Sequence, residues 1–385
     1  MPMSQPNLDS IRKKVEDGVR LSAAEGEYLF REDVDLHAVG ELADVVRRRK
    51  HGDVTYYNIN AHINPTNVCI YRCPLCAYSR DEDDVDAYVL SDEQLAQQAQ
   101  QAAAAGCTEL HVVGGVHPGK PYQWYLDVLR VLRSAAPGLH LKAYTAIEIE
   151  WLARISQRSV RSVLEDLMRA GLDSLPGGGA EIFDQQVRTL LCPRKPDARC
   201  WLGIHRAAHQ LGLRSNATML YGHVESAEHR IDHLVQLRQL QDVTGGFQAF
   251  VPLSFHPQNT AMRHLRRPSP LLDLRTIAIS RLMLDNFDHI KAYWISLGLG
   301  TAQTALAYGA NDLDGTVRQE RIHHAAGAET PEVLAVDELR RLIEEAGCRP
   351  VERDSLYRPV HRQGAVWHVR TEPVESQPVG PGGTA

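Results

Sequence analysis

The chain has no apolar run near the ~20 residues that cross a bilayer as a helix. Its first residues, Met1 to Asn7, are polar and lack the apolar core of a secretory signal. No excess of either charge sign dominates: the formal net charge is −6, which gives no general pull toward nucleic acid or anionic lipid. The cysteines, seven in number, form no even scaffold, so they read as thiols or metal ligands in a reducing cytoplasm and not as disulfides. Neither a membrane nor a nucleic-acid partner is expected. What remains, with 43% hydrophobic and 23% charged residues, is the composition of a globular protein with a sizeable core.

Residues 1–52 read as helices, with Ser22-Ala-Ala-Glu25 as a capping box and Val45-Val-Arg-Arg-Arg-Lys50 complementing a helix C-terminus. From 53 to 330 short apolar strands alternate with amphipathic helices. Strands are expected over 57–63, 109–113, 140–144, 173–175, 215–220, 248–253 and 290–295, with an eighth near 306–313. Helices are expected over 92–105, 121–135, 198–211 and 228–243. Alternation of this kind implies a parallel sheet with right-handed crossovers, and about eight units favour a (β/α)8 barrel over an open doubly wound sheet. Residues 331–370 read as a helical cap and 371–385, rich in Pro and Gly, as a disordered tail.

The central motif is Asn64-Pro-Thr-Asn-Val-Cys69-Ile-Tyr-Arg-Cys73-Pro-Leu-Cys76-Ala-Tyr78, directly after the first strand. Three thiolates within eight residues suit three irons of a cubane and leave a fourth iron open for chemistry. A structural zinc ion would want a fourth Cys or His nearby, and none follows at the usual spacing. A buried helix face also uses positions i, i+4 and i+7, but Pro74 and the Asn64-Pro65 pair argue for a loop.

Two other patterns carry less. His205 and His209 have the spacing of a zinc-protease helix without its glutamate, and read as a helix surface. Gly298-Leu-Gly300 begins a dinucleotide fingerprint that does not continue.

The CxxxCxxC spacing resembles the radical S-adenosylmethionine superfamily. The resemblance implies a [4Fe–4S] cluster on Cys69, Cys73 and Cys76, with S-adenosylmethionine bound at the open iron and cleaved to a 5′-deoxyadenosyl radical. Leu75 stands where an aromatic residue is usual, and Tyr78 is the candidate for the adenine-side contact instead.

Further segments resemble the aminodeoxyfutalosine synthase family of menaquinone biosynthesis. They are His62-Ile-Asn-Pro-Thr-Asn67, His111-Val-Val-Gly-Gly-Val-His-Pro118, Leu175-Pro-Gly-Gly-Gly-Ala-Glu181, Ser215-Asn-Ala-Thr-Met-Leu-Tyr-Gly-His-Val-Glu225, Gly246-Phe-Gln-Ala-Phe-Val-Pro252 and Gly309-Ala-Asn-Asp-Leu-Asp-Gly-Thr316. The family is similar to dehypoxanthine futalosine cyclase and to a subunit of the deazaflavin cofactor synthase. The resemblance implies addition of the radical to 3-[(1-carboxyvinyl)oxy]benzoate and loss of a carboxyl group as bicarbonate. S-adenosylmethionine is then a co-substrate, and an external flavodoxin or ferredoxin supplies the electron. A non-catalytic iron–sulfur carrier is the reading of another class.

On this reading Gly114 and Gly115 let backbone approach S-adenosylmethionine, or simply make a tight turn. Gly178 and Glu181 follow the fourth strand, where Glu181 meets ribose hydroxyls or caps the next helix. Thr145 and Glu148 are candidates after the third strand. Asn216, Thr218 and His223 lie on or just past the fifth and are the candidates for handling substrate. Tyr221, His256, Trp294, Ser296, Asn311 and Asp312 are weaker candidates at strand ends.

Overall fold

The computed structural model describes residues 6–371. Three helices open the chain: α1 (Leu8–Glu16), α2 (Ala23–Leu29) and α3 (Leu36–His51). The expected capping box is present at α2: Ser22 receives the Glu25 N–H, and Glu25 accepts from the Ser22 N–H. The basic run ends α3 as expected, and its Arg49 also donates to the last carbonyls of α1, Val15 at 3.0 Å and Glu16 at 3.1 Å. One side chain thus satisfies orphan carbonyls and ties two helices together.

Twelve strands follow among the described residues: β1 (Val54–Asn58), β2 (Asn60–Ile63), β3 (Glu109–Val112), β4 (His140–Ala143), β5 (Ser174–Leu175), β6 (Arg214–Tyr221), β7 (Phe247–Ser254), β8 (His289–Ile290), β9 (Asp312–Gly315), β10 (Arg349–Glu352), β11 (Val360–Gln363) and β12 (Val366–Val369). β2 to β8 form a parallel sheet in sequence order, curled around the core with helices outside. The segment 311–318 closes the curl. On one side Ala292 N–H donates to Asp312 O at 2.8 Å; on the other, His62 N–H donates to Arg318 O at 2.8 Å. The expected (β/α)8 barrel is thus present as a curled sheet of seven parallel strands, a partial barrel of that type.

Several expectations need correction. The single strand over 57–63 is two: β1 leaves the barrel and pairs with β9 and β10, its register against β9 shifting between Tyr56 and Asn58. The strand over 290–295 stops at Ile290, because Tyr293 caps a short helix, Trp294–Leu297. The cap is only partly helical. Besides the helix Val336–Glu345 it contributes β10 and the β11–β12 hairpin. Here Arg353, fully buried, donates to Asp312 Oδ2 at 2.6 Å and lies 4.2 Å over the Tyr357 ring. Trp367 donates to Cys107 O, just before β3, at 3.2 Å. Residues 349–369 therefore cover the N-terminal end of the barrel. The tail expected over 371–385 lies, apart from Thr371, outside the described residues.

Several histidines are built into the core as neutral rings. His205 and His209 both bond the Ser215 hydroxyl, at 2.9 and 2.8 Å, so this helix face is turned onto β6 and is not the surface expected for it. His233 donates to Thr218 O at 2.9 Å and stacks on Phe183. His289 stacks on Tyr357 with centroids 3.6 Å apart. Burial holds His233 down at about 3 and pushes His205 and His289 well below the ordinary 6.5. A base whose folded pKa is depressed leaves stability intact above pH 6.5 and removes it as pH falls toward the folded value. By pH 5 a ring held at about 3, as His233 is, costs on the order of 2 kcal/mol. Melting temperature should hold near pH 7 to 8 and fall steeply between pH 6.5 and 5. A flat profile there would refute the neutral assignment.

Candidate active site

At the C-terminal end of the barrel lies a cavity of about 310 Å³. All three motif cysteines line it. Residues 64–80 are turns, bends and isolated bridges, which rules out the helix-face reading. Backbone bonds hold the loop: Cys69 N–H to Arg80 O at 3.0 Å, Ile70 N–H to Val116 O at 2.9 Å, and Cys76 N–H to Cys73 O at 2.9 Å. Asn67 reaches across to Asp86 O at 2.9 Å and accepts from Tyr88 N–H at 2.8 Å. Arg72, between two cysteines, sits at φ 42°, a left-handed conformation rare outside glycine. Its guanidinium is fixed by the Ser79 carbonyl and by Asp81 and Asp84.

Burial pushes the Cys73 thiol up to about 12, so the site does not ionise it unaided. A thiol in such a place becomes a thiolate when iron replaces its proton. Three soft sulfur donors on one loop, all facing one cavity and none in a disulfide, fit a [4Fe–4S] cluster held by three ligands.

Gly114 and Gly115 line the cavity, yet the reason they are glycines is the cysteine loop behind them. A Cβ on Gly115 would lie 2.2 Å from Val68 O, and one on Gly114 would lie 2.9 Å from Thr66 O. The space a side chain would need is taken up by the backbone of residues 66–68. Thr145 and Glu148 form a capping box on the helix Ala146–Ser156. Glu148 also accepts from Gly114 N–H at 3.3 Å, linking that helix to the glycine turn. Its burial raises the carboxyl to about 7.

Gly178 and Glu181 line the cavity as well. Trp201 donates to Gly178 O at 3.2 Å, and Glu181, at φ 48°, pairs with Lys195 at 2.7 Å. Lys195 holds the Glu181 carboxyl below its usual range despite burial. Tyr78 is buried at the cavity edge with its hydroxyl bonded to that of Tyr88.

Asn216 and Thr218 face the cavity from β6, as period two requires. Thr218 donates to Gly177 O at 2.7 Å, whereas the Asn216 amide has no protein partner. His223 does not line the cavity. The chain turns at Gly222, and the His223 ring is buried against Leu220 O at 3.0 Å and Glu225 at 2.8 Å, where it braces the loop. Of the weaker candidates, only His256 lines the cavity. Asp312 starts β9 and Asn311 precedes it, so both sit at the opposite end, bonded to Arg353 and Arg281. Trp294 and Tyr221 are spent on Gly315 O and Asp273.

Sequence reasoning gave no role to the polar floor. Glu109 and His111 on β3, Asn60 and His62 on β2, Lys142 on β4 and Lys291 after β8 all face inward. A signal for part of this was present: on β2 and β3 the polar residues alternate with Ala61, Ile63, Leu110 and Val112. In a barrel strand that pattern points polar groups either to solvent or into a working interior. Helices occupy the outside here.

Comparison with known proteins adds the following. A model of the radical SAM superfamily matches residues 63–237, and one described as the CofH/MqnC C-terminal region matches 244–365. The aminodeoxyfutalosine synthase of Thermus thermophilus is 45% identical over 359 residues, 92% of this chain and 96% of that one. The enzyme of the same name from Streptomyces coelicolor is 42% identical, covering 90% and 92%. A 5-amino-6-(D-ribitylamino)uracil–L-tyrosine 4-hydroxyphenyl transferase of Methanopyrus kandleri is 41% identical, covering 90% and 94%. Among solved structures, methylornithine synthase superposes with a TM-score of 0.71 at 18% identity, covering 88% of this chain and 97% of that one. The hydrogenase maturase HydG of Carboxydothermus hydrogenoformans gives 0.71 at 16%, covering 91% and 80%. These two likenesses concern the fold.

Proposed function

The chain belongs to the radical S-adenosylmethionine enzymes and, within them, to the aminodeoxyfutalosine synthase family; on that premise we propose that it joins the 5′-deoxyadenosyl group to 3-[(1-carboxyvinyl)oxy]benzoate, with loss of a carboxyl group as bicarbonate, to give aminodeoxyfutalosine. The observation that carries this reading is the cavity itself. Three thiols stand at the C-terminal end of the barrel, above an interior with apolar Val251, Leu253 and Leu220 on one side and charged groups on its floor. Such an interior suits an aromatic acid.

Cys69, Cys73 and Cys76 hold the cluster, which when bound supplies the electron that breaks the sulfonium–C5′ bond of S-adenosylmethionine. The surrounding residues position the two substrates. Gly114, Gly115 and Gly178 present backbone at the mouth, Glu148 holds the Gly114 turn, and the Glu181–Lys195 pair offers a donor and an acceptor to the polar parts of S-adenosylmethionine. Asn216, with its free amide, and Thr218 face the second substrate. Tyr78 closes the edge of the site. An external flavodoxin- or ferredoxin-type reductant in the cytoplasm provides the electron, and residues 53–330 form the catalytic barrel between the N-terminal helices and the C-terminal cap.

No described helix is long and apolar enough to cross a membrane. The test is anaerobic: reconstitute iron and sulfide, reduce, add S-adenosylmethionine and the carboxyvinyloxybenzoate, and weigh the products. An adduct carrying the adenosyl portion is expected. Free 5′-deoxyadenosine without adduct would overturn the substrate and direct attention to the 4-hydroxyphenyl transferase reaction of the relatives. Neither product, with the cluster verified, would overturn the enzyme.

A further inference from the structure

The floor of the cavity carries more donors than the protein uses. Lys142 Nζ lies 2.6 Å from Glu109 Oε2, and both side chains are 2% exposed. Lys291 Nζ lies 3.2 Å from Asp314 Oδ2, with 4% of its side chain exposed. An ammonium group has three N–H donors, so each lysine retains at least two with no protein acceptor. Beside them His62 and His111 stack with centroids 4.6 Å apart, and neither ring makes a hydrogen bond to protein. Register places them together: His62 is opposite His111, and His111 is opposite Lys142, on three adjacent strands. Buried donors left unpaired are costly, so a site of this kind is completed by an acceptor that enters it.

The geometry points to a carboxylate subsite: we propose that Lys142 and Lys291 receive the ring carboxylate of the benzoate, with the His62–His111 pair alongside. This rests on the substrate class proposed above and fixes its orientation. The alkene must face the cysteine end of the barrel, where the adenosyl group is delivered. The ring carboxylate is at the far end of the molecule from that alkene and therefore points to the floor. The enol carboxyl, attached beside the alkene, stays at the upper level. Glu109 and Asp314 hold the two ammoniums in place before the substrate arrives, and the apolar Leu220, Val251 and Leu253 offer the ring a dry wall. Burying both lysines on opposite sides of one space makes a specificity device: a ligand without the ring carboxylate leaves their donors unmatched.

Two ligands test this on the reconstituted holoenzyme. The first is 2-phenoxyacrylate, the substrate with hydrogen in place of the ring carboxylate. Wild type should turn it over with kcat/KM lower by ~100-fold or more, the discrimination expected when buried polar groups are left unpaired. Two variants that keep each pair neutral, Glu109→Gln/Lys142→Met and Lys291→Met/Asp314→Asn, should shrink that ratio to below ~10-fold; two are used in case one fails to fold. A merely structural role would slow both substrates alike and leave the ratio unchanged. An unchanged ratio in a folded variant overturns the inference. The second ligand, 3-methoxybenzoate, carries the ring carboxylate without the alkene, and its binding is read by calorimetry. Binding to wild type that is lost in the variants, with no adduct formed by wild type, would keep the anion subsite while the reaction proposed above falls. Equal binding to wild type and variants removes the subsite whatever the reaction.

Discussion

Cys69→Ala, Cys73→Ala and Cys76→Ala each abolish reductive cleavage of S-adenosylmethionine, whereas Cys192→Ala leaves it intact. The loss expected is ~10³-fold or more, equivalent to about 4 kcal/mol of barrier. The reason is arithmetic in ligands. In the proposed site three irons take three sulfurs from one loop, and no other cysteine lines the cavity. Cys192 is buried beyond the lining, where burial raises its thiol, and it takes no part in the loop. Iron and sulfide analysis should show cluster content falling with activity in the three variants. Cleavage at the wild-type rate in any of them would refute the ligand assignment.

The second large effect comes from a methyl group. Gly115→Ala places a Cβ 2.2 Å from Val68 O and 2.7 Å from Val68 C. Both are backbone atoms, one residue before Cys69, and they cannot turn aside as a flexible side chain does. Either β3 or the cysteine loop must shift. The β3 end is held by the ladder to β2 and β4, so the loop is the part that yields. Overpacking of this kind costs typically ~1–3 kcal/mol and displaces Cys69, the first of the three proposed ligands. Most of the reconstituted iron should be lost while the far-ultraviolet circular dichroism stays close to wild type. Gly203→Ala is the control: it lies in the helix Ala198–Gln210 with nothing within 4 Å of the added carbon, and should gain up to ~1 kcal/mol. If Gly115→Ala keeps full iron and activity, the close approach does not position the loop.

The glycine case shows where reading a sequence runs short. Gly114-Gly115 at a strand end correctly signals a close approach, but not by what; the approaching atoms belong to residues 66–68, nearly fifty positions earlier. His223 is similar. Period two along 215–221 brings Asn216 and Thr218 to the interior, but the pattern stops at Gly222, whose φ of 86° turns the chain and sends His223 onto Glu225. The eighth strand lies later than the expected 306–313, because the apolar run Ala305–Tyr308 is a 3₁₀ turn. The strand itself, Asp312–Gly315, is half acidic, since its carboxylates answer Arg353 and Lys291 from elsewhere in the fold.

The sequence by itself determined what is encoded within a few residues. The cysteine spacing with its prolines makes a loop that offers three sulfurs; Ser22 with Glu25 starts a helix; and alternating strand and helix patterns commit the chain to a curled parallel sheet. Tertiary structure decided what depends on curl and register. Lys142 meets Glu109 from thirty-three residues away because β3 and β4 are neighbours, and Lys291 meets Asp314 only where segment 311–318 closes the barrel. A lone lysine in a strand is ambiguous, since its energy depends on whether a carboxylate shares its burial. That partner is supplied by the neighbouring strand, and no local pattern in the chain specifies it.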